Sequence, residues 1–350
     1  KQNMPINFTG STRNYSELEQ ITEELYQDSK TLRERVIDIE EGHKSGTDVY
    51  ESKVTVAMTA LNTGEVTATG DIDLDFSSTP VSLTAFNYED RINDNSLKGT
   101  RFEKSMKKGA YEVVSDEFDK KVLIQIQPAI GADIETKLWN GATVATKAAV
   151  ALLVPGAGQG SITAAAQAAV AAMPTTLFDS LVTRVLYNNS QAKTVPGAGL
   201  GDYIKVTGTT VTSVNIAAEY GKLYAGAPSK VIDSTSELPR IFAPLGDKQL
   251  IKVANNAVGA AQQINFLVEG SGANEKIYYN GIEIEFHPIG ATFRILTLPS
   301  YLKVLTDATS DLNSLQIDKV ANGAMQRYIK NTQAMATWVT NQRYITLYGG

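Results

Sequence analysis

Residues 113–141 read VVSDEFDKKVLIQIQPAIGADIETKLWNG, a stretch with the pattern of one long helix. Ser115 is a capping residue, and the two acids that follow it would lie at the positive end of the helix dipole. Pro128 is expected to kink the helix, and Asn140-Gly141 to end it after Trp139. Apolar residues recur at helical spacing and predict one buried face, formed by Phe118, Val122, Ile126, Ala129, Ile130 and Ile134.

Two stretches of alternating apolar and polar residues lie upstream of this helix. They cover residues 53–61 and 66–76, and the Asn62-Thr63-Gly64 segment between them favours a turn. A two-stranded hairpin with so few apolar residues is not stable alone, so it is expected to lie on a body or on a neighbouring molecule. Five apolar residues are the candidates for contact between subunits: Val54, Val56, Ile72, Leu74 and Phe76.

The amino-terminal region predicts an extended arm followed by a helix. Residues 1–14 are polar and contain a proline and a glycine. An amphipathic helix docked on the body is one interpretation of residues 15–41, and a short coiled coil, interrupted by Asp28 and Arg35, is the other. The apolar stripe of this helix has spacings of three, four and seven and consists of Leu18, Ile21, Leu25, Leu32, Val36 and Ile39.

The remainder of the chain mixes helices and strands. Asn280-Gly281 predicts a tight hairpin within residues 277–286, and the closing strands of residues 324–347 are expected to break at Asn331-Thr332 and Asn341-Gln342. Because helices and strands alternate without a βαβ rhythm, the predicted fold class is α+β. Helices are predicted over residues 175–187, 214–224 and 247–257.

Composition argues against several classes of function. The 350 residues are enough for a sizeable core and one to three domains. A formal net charge of -6 disfavours wrapping of duplex DNA, which needs a basic surface. The absence of cysteine excludes disulfides, thiolate metal sites and thiol nucleophiles. The longest apolar stretches, residues 148–154 and 164–173, are much shorter than the roughly 20 residues of a membrane span.

Two glycine-rich loops have part of the pattern of a dinucleotide-binding fingerprint. Residues 155–160 read PGAGQG and lie between an apolar run and a helix-like run. No βαβ unit precedes this loop and no acidic residue ends a second strand, while PGAGLG at residues 196–201 repeats the pattern without a buried strand before it. Both loops are therefore interpreted as flexible connectors, and no nucleotide or other cofactor is predicted.

Other reactive side chains are sparse. His43 lies in a glycine-flanked turn and His287 at a strand end, and neither has a second metal ligand at suitable spacing. Glu283 and Glu285 share one face of a strand, which favours a solvated strand face over the carboxylate pair of a glycosidase. We predict no catalytic residue and no metal site, and expect that the protein is not an enzyme. A basic cluster too small to define a nucleic-acid-binding protein is formed by Lys104, Lys107 and Lys108.

The order of these parts resembles that of the major capsid protein of tailed bacteriophages. The resemblance rests on the polar arm, the hairpin and the helix that ends in Leu138-Trp139-Asn140-Gly141, since a long spine helix in that family ends in a similar Leu-x-Asn-Gly step. Residues 324–329 (AMQRYI) and 338–344 (WVTNQRY) are also similar to the closing strands of the family. The resemblance covers the chain from residue 49 onward and is closest in style to capsid proteins of phages that infect Bacteroidetes-type bacteria.

This resemblance implies four regions and a shell function. Many copies would self-assemble into an icosahedral shell around packaged double-stranded DNA, in the virion, after assembly in the host cytoplasm. Decoration, portal and scaffolding proteins would be partners, contact with the DNA would be weak, and no membrane would be involved. The regions would be an amino-terminal arm with the amphipathic helix (1–48), an extended hairpin loop (49–95), a peripheral domain with the spine helix and closing strands (96–155 and 318–350), and an inserted axial domain (156–317).

One departure from the family concerns covalent cross-links. Some members join their subunits through Lys–Asn isopeptide bonds from a lysine on the extended loop, but here no lysine lies between Lys53 and Lys98. Non-covalent contacts or a decoration protein are expected instead. Two other classes stay open: a carbohydrate-active or nucleotide-dependent enzyme that uses the glycine loops or Glu283 and Glu285, and another self-assembling protein, such as an encapsulin-type compartment or a tail protein.

Overall fold

The structure is a computed structural model that describes residues 29–44, 47–56, 72–93, 129–188, 200–258, 266–271, 275–307, 315–319 and 326–349. The helices in these ranges are α1 Lys30–Arg33, α2 over residues 129–139, α3 Val144–Ala151, α4 Ala164–Ala172, α5 Leu181–Leu186, α6 Ile216–Gly226, α7 Ser229–Ile232 and α8 Leu245–Val258. The strands are β1 Asp38–Glu40, β2 Thr47–Val56, β3 Ile72–Val81, β4 Thr84–Asn93, β5 Ile204–Val206, β6 Arg240–Pro244, β7 Phe266–Glu269, β8 Lys276–Tyr279, β9 Ile282–His287, β10 Arg294–Thr297, β11 Leu302–Thr306, β12 Leu315–Lys319, β13 Gln326–Val339 and β14 Thr346–Tyr348. Short 3-10 helices lie at Pro299–Tyr301 and Gln342–Tyr344.

The first sheet is built around the 14-residue strand β13. This strand pairs antiparallel with β4, β11 and β12, and β1 pairs in parallel with β11. The predicted break at Asn331-Thr332 is wrong, because Asn331 pairs with Leu315 and Thr332 pairs with Asn87, so the strand continues through both residues. The predicted break at Asn341 is confirmed, since this residue has a left-handed φ of 50° and begins a 3-10 turn.

The second sheet has seven strands in the order β5-β14-β10-β6-β9-β8-β7. β8 and β9 form the predicted hairpin, and its turn residues Asn280 and Gly281 have φ angles of 47° and 83°, which suit a tight two-residue turn. The predicted helices 214–224 and 247–257 are present as α6 and α8 with shifted ends, while the helix predicted from residue 175 begins only at Leu181. Helices and strands are thus mixed, and both sheets combine parallel and antiparallel pairs.

Strand pairing crosses the expected domain boundary between residues 317 and 318. β11 lies in the expected axial domain but pairs with β13 of the expected peripheral domain. β14 lies in the expected peripheral domain but pairs with β5 and β10 of the seven-stranded sheet. The four-region division stays a prediction, and these two strands show that segments from both sides of residue 317 share each sheet.

The described end of the spine helix, α2, is buried at Ile130 and Ile134 as its pattern predicts. The prediction is wrong for Ala129, which is exposed and lies about 100° around the helix from Ile130. Ile130 and Ile134 are buried, and Leu138 and Trp139 are fully enclosed in the larger of the hydrophobic cores. Trp139 stacks on Phe242 of β6 with 5.1 Å between ring centroids, so the end of the helix is anchored against the seven-stranded sheet. Residues 113–128 of the predicted helix, with the expected kink at Pro128, lie outside the described residues.

The prediction of the amino-terminal helix is wrong about where that helix ends. Residues 30–33 are helical, Arg35 has a left-handed φ of 45°, and Asp38–Glu40 is the strand β1. The helix does not reach residue 41 because Ile39 and its neighbours pair with β11 instead. The predicted arm and the first part of this helix, residues 1–28, lie outside the described residues. In the described part of the chain, no helix combines the length and apolar character needed to cross a membrane.

Candidate functional site

Part of the predicted hairpin is described, as an antiparallel ribbon of two ten-residue strands, β2 and β3, which reach beyond the predicted ranges to Thr47 and Val81. Residues 57–71, with the predicted Asn62-Thr63-Gly64 turn, lie outside the described residues. In an antiparallel pair, directly opposed residues share a face and the faces alternate along each strand. The register pairs Val54 with Leu74 and Val56 with Ile72, and Phe76 lies two residues beyond Leu74. The strand pairing therefore places all five predicted contact residues on one face of the ribbon.

Beyond the base of the ribbon, over residues 51–55 and 73–77, the other face has a polar sequence. Its register positions include Lys53 opposite Asp75 and Thr55 opposite Asp73. Opposite charges at directly paired positions favour the hairpin by roughly 0.2–1 kcal/mol. The ribbon is thus amphipathic along the strands, with an apolar face and a charged face.

The base of the ribbon is anchored through the charged face. Val49 and Val81 occupy positions on that face, and both are buried in a small cluster with Trp338 of β13 and Leu305 of β11. Ser78 and Pro80, which occupy positions on the apolar face, are exposed. At its base, the apolar face is therefore the one that points away from the anchor.

A second feature is a buried network around Glu135 that holds the amino-terminal segment. One carboxylate oxygen of Glu135 accepts hydrogen bonds from the Ser29 hydroxyl at 2.6 Å and from the Thr31 backbone N–H at 3.1 Å. The other oxygen accepts from the Thr31 hydroxyl at 2.6 Å and lies 2.9 Å from Nδ1 of His287. The indole N–H of Trp139 donates to the Thr31 hydroxyl at 2.7 Å. We call these five residues the clasp.

The clasp joins three parts of the fold through mostly buried side chains. Burial by itself would raise the pKa of Glu135, but hydrogen bonds from His287, Ser29 and Thr31 lower it to about 2, so the carboxylate is ionised. Burial lowers the pKa of His287, which favours the neutral ring with a proton on Nδ1. Trp139 stacks on this ring with centroids 4.4 Å apart. The prediction that His287 is a structural histidine fits this environment.

The first glycine loop encloses a lysine. The Lys205 ammonium donates to the carbonyl oxygens of Gly156, Gly158 and Ser161 at 2.8, 3.2 and 2.9 Å. The Gln159 side chain donates to the backbone carbonyl of Lys205 at 3.0 Å and accepts from its N–H at 2.8 Å, so the loop covers the edge of β5. The interpretation of this loop as a flexible connector is therefore wrong. A phosphate needs N–H donors, whereas this loop presents carbonyl oxygens to a cation.

The remaining predicted positions lie in ion pairs. Arg240 lies 3.2 Å from Glu285 and 3.9 Å from Glu283. Lys30 forms a second ion pair with Glu285, and Lys276 forms one with Glu283. The interpretation as a solvated strand face needs correction, because Glu285 is buried among these cations. His43 lies 3.0 Å from Glu40. In the described ranges no group of acidic or histidine side chains is arranged to hold a metal ion. Residues 189–199, with most of the second glycine loop, and the lysine cluster near residue 104 lie outside those ranges.

Solved capsid structures resemble this chain at low sequence identity. No protein-family model and no curated protein matches it. It is similar to the procapsid of satellite phage P4 that includes the size determination (Sid) protein, with 9% identity, coverage of 94% of this chain and 98% of that chain, and a TM-score of 0.48. It is also similar to the capsid of a native GTA particle (12% identity, 99% and 94% coverage, TM-score 0.49) and to the holo-SrpI encapsulin complex from Synechococcus elongatus PCC 7942 (9% identity, 97% and 91% coverage, TM-score 0.46). All three TM-scores are below 0.5, so the proposed function rests on the geometry of this chain.

Proposed function

We propose that this chain is a shell-forming capsid protein, the major capsid protein of a tailed bacteriophage, whose copies enclose double-stranded DNA in an icosahedral shell. The observation that carries the proposal is the arrangement of the ribbon. Its five apolar residues occupy one face, and at the base of the ribbon that face points away from the cluster in which Val49 and Val81 are buried. Apolar surface in water is unfavourable, and contact with a neighbouring copy would remove it from water. The five residues are therefore the proposed contact between subunits.

The clasp supports the same proposal through the amino-terminal segment that it holds. It fixes Ser29 and Thr31 to the spine helix and to His287 through buried hydrogen bonds. In a shell subunit, such a fixed point would set the direction in which an amino-terminal arm leaves the body. The acidic net charge of -6 also suits a container whose wall does not bind DNA tightly.

The enzyme alternatives have less support among the described residues. Lys205 occupies the carbonyl oxygens of the first glycine loop, and Glu283 and Glu285 are paired with basic side chains. An encapsulin-type compartment would use the same kind of shell contact, so the content of the particle separates it from a capsid. A virion location with assembly in the host cytoplasm, partners such as decoration, portal and scaffolding proteins, and a host among Bacteroidetes-type bacteria complete the proposal.

The proposal is tested by assembly of the purified protein and of two matched variants. Electron microscopy and sedimentation of the wild-type protein should show closed shells. Leu74→Asn places an amide on the apolar face and should prevent assembly, while Asp75→Asn introduces the same residue one position away on the charged face and should not. Equal assembly of the two variants would remove the ribbon from the contact, and a wild-type protein that stays monomeric would overturn the proposed function.

A second measurement identifies what the shell contains. Particles isolated from infected host cells and treated with nuclease should retain double-stranded DNA. Particles that hold a protein cargo and no DNA would favour the encapsulin-type alternative over the phage capsid.

A further inference from the structure

The helix pair α3–α4 has an unusual lack of charge. Between Lys137 and Asp179 the sequence contains a single charged residue, Lys147. Most of this stretch forms α3, α4 and the loop that connects them. The stretch nevertheless contributes exposed surface, with Val144, Leu152, Val154 and Leu177 exposed by 70%, 85%, 83% and 66%.

The two long polar side chains of the pair cap each other's helix. The Lys147 ammonium of α3 donates to the carbonyl oxygens of Ala171 and Met173 at the carboxyl end of α4. The Gln167 amide of α4 donates to the carbonyl oxygens of Val150 and Leu153 at the carboxyl end of α3, at 2.9 and 3.0 Å. Both side chains therefore hydrogen-bond to carbonyl groups at the carboxyl end of the other helix. Neither is left to make the outer surface polar.

The outer surface of the pair is consequently apolar at helical spacing. We define the α3–α4 outer face by exposed residues that recur every four positions: Val144 and Ala148 on α3 with Leu152 directly after its end, and Ala164, Ala168 and Ala172 on α4. The opposite side of each helix is buried. Val150 and Val170 lie in the larger core, and Thr146 of α3 is buried with its hydroxyl donating to Asp179. Helices that are apolar on all sides are normally buried, whereas a helix at a free surface carries charge on its outer side.

We infer that the α3–α4 outer face is an interface covered by a second copy of this chain. Each copy carries a net charge of -6, so two copies repel one another, and close approach costs least where neither surface is charged. Alanine side chains also let the helices of a neighbouring copy approach to the short end of the ordinary interaxial range, about 8 Å. This inference rests on the proposed function, because it requires copies that assemble.

A charge placed on this face should block assembly without unfolding the subunit. Ala168→Glu should leave the circular dichroism spectrum and melting temperature close to wild type, because the position is exposed and glutamate is a good helix former. Particles should be lost in electron microscopy and sedimentation. Ala257→Glu makes the same change at an exposed position of α8 and should still assemble. Particles of Ala168→Glu that match those of the control would overturn the inference.

A unique thiol gives a second readout that does not depend on a disruptive variant. The chain has no cysteine, so Ala168→Cys and the control Ser236→Cys, in an exposed loop, each carry one reactive group. In particles assembled from pure protein, a maleimide reagent should label Ser236→Cys and leave Ala168→Cys protected, while both react in the dissociated subunit. Equal labelling of both in particles, or protection of Ala168→Cys only in particles from infected cells, would overturn coverage by a second copy. If the wild-type protein forms no particle, the proposed function fails and the inference fails with it.

Discussion

Nδ1 of His287 lies 2.9 Å from a carboxylate oxygen of Glu135, across 152 residues of sequence. His287 ends β9 of the seven-stranded sheet, and Glu135 lies on the spine helix, so this contact joins the helix to the sheet. Ser29 and Thr31 bind the same carboxylate. One ionised group therefore fixes the relative position of the sheet, the helix and the amino-terminal segment.

The clasp should make the protein sensitive to acid. The folded pKa of Glu135 is about 2 against an ordinary 4.5, so its contribution is complete above about pH 4.5 and is lost as the pH falls towards 2. The lowered pKa of His287 acts in the same direction, because the unfolded chain takes up a proton below about pH 6.5. Lys30 and Glu285 also face His287 and act in opposite directions on its pKa. Together these groups predict a melting temperature that falls from pH 7 to pH 3.

The Glu135→Gln variant isolates the carboxylate in that measurement. The shift from 4.5 to about 2 corresponds to roughly 3 kcal/mol of unfolding free energy that depends on pH. The variant should be less stable at pH 7 and should lose less stability on acidification than the wild type. Parallel pH profiles for the two proteins would show that the carboxylate does not titrate as its hydrogen bonds predict.

Thr31 should be more important for stability than the half-buried Thr136 of the spine helix. Its hydroxyl accepts from Trp139 and donates to Glu135, so Thr31→Val leaves a buried N–H without a partner and should cost about 1–3 kcal/mol of unfolding free energy. Thr136→Val, where the hydroxyl bonds only the Ala132 carbonyl, should stay within about 0.5 kcal/mol of wild type. Denaturant unfolding monitored by tryptophan fluorescence measures both, and equal losses would contradict the role given to Thr31.

Two glycines of the first glycine loop, Gly156 and Gly158, should respond differently to substitution by alanine. A Cβ added at Gly156 would lie 2.8 Å from Oγ and 3.0 Å from Cβ of Ser161, whereas one added at Gly158 would meet nothing closer than 3.9 Å. Gly156→Ala should therefore lower stability by roughly 1 kcal/mol, because Ser161 must give up its hydrogen bond to the Gly158 carbonyl. Gly158→Ala should be nearly silent in thermal melting. Calorimetry should detect no binding of NAD or ATP, and saturable binding lost in Gly158→Ala would restore the nucleotide hypothesis.

Sequence patterns predicted the parts of the fold that depend on neighbouring residues. Asn280-Gly281 predicted its hairpin because the turn requires residues that accept positive φ, and the period of Ile130 and Ile134 predicted the buried face of the spine helix. The strand at Ile39 was missed because pairing with Val304 overrides a helical pattern. The lysine within the glycine loop was missed as well, since Lys205 is 49 residues from Gly156 and its position in sequence indicates no such contact. Side-chain networks between distant segments leave no periodic signal.

The burial pattern of the described spine helix predicts the environment of Ile126, one helical turn before Ile130. Ile130 and Ile134 are buried, and Trp139 is enclosed at the helix end, which fixes the phase of the apolar face. Ile126 lies four residues before Ile130 and outside the described residues, so a continuous helix would place it on the same face. Ile126→Ala should then cost about 2–5 kcal/mol of unfolding free energy and lower the melting temperature and soluble yield.

Gln125→Ala is the matched control for this position. A helix of the same phase turns residue 125 about 100° away from residue 126, so the glutamine side chain should lie off the core and its loss should change the melting temperature little. Thermal melting of the two variants beside the wild type shows which of residues 125 and 126 faces the core. A larger loss for Gln125→Ala would mean that the kink expected at Pro128 shifts the phase of the preceding turns, and residues 113–127 would then bury a different face from the one their spacing predicts.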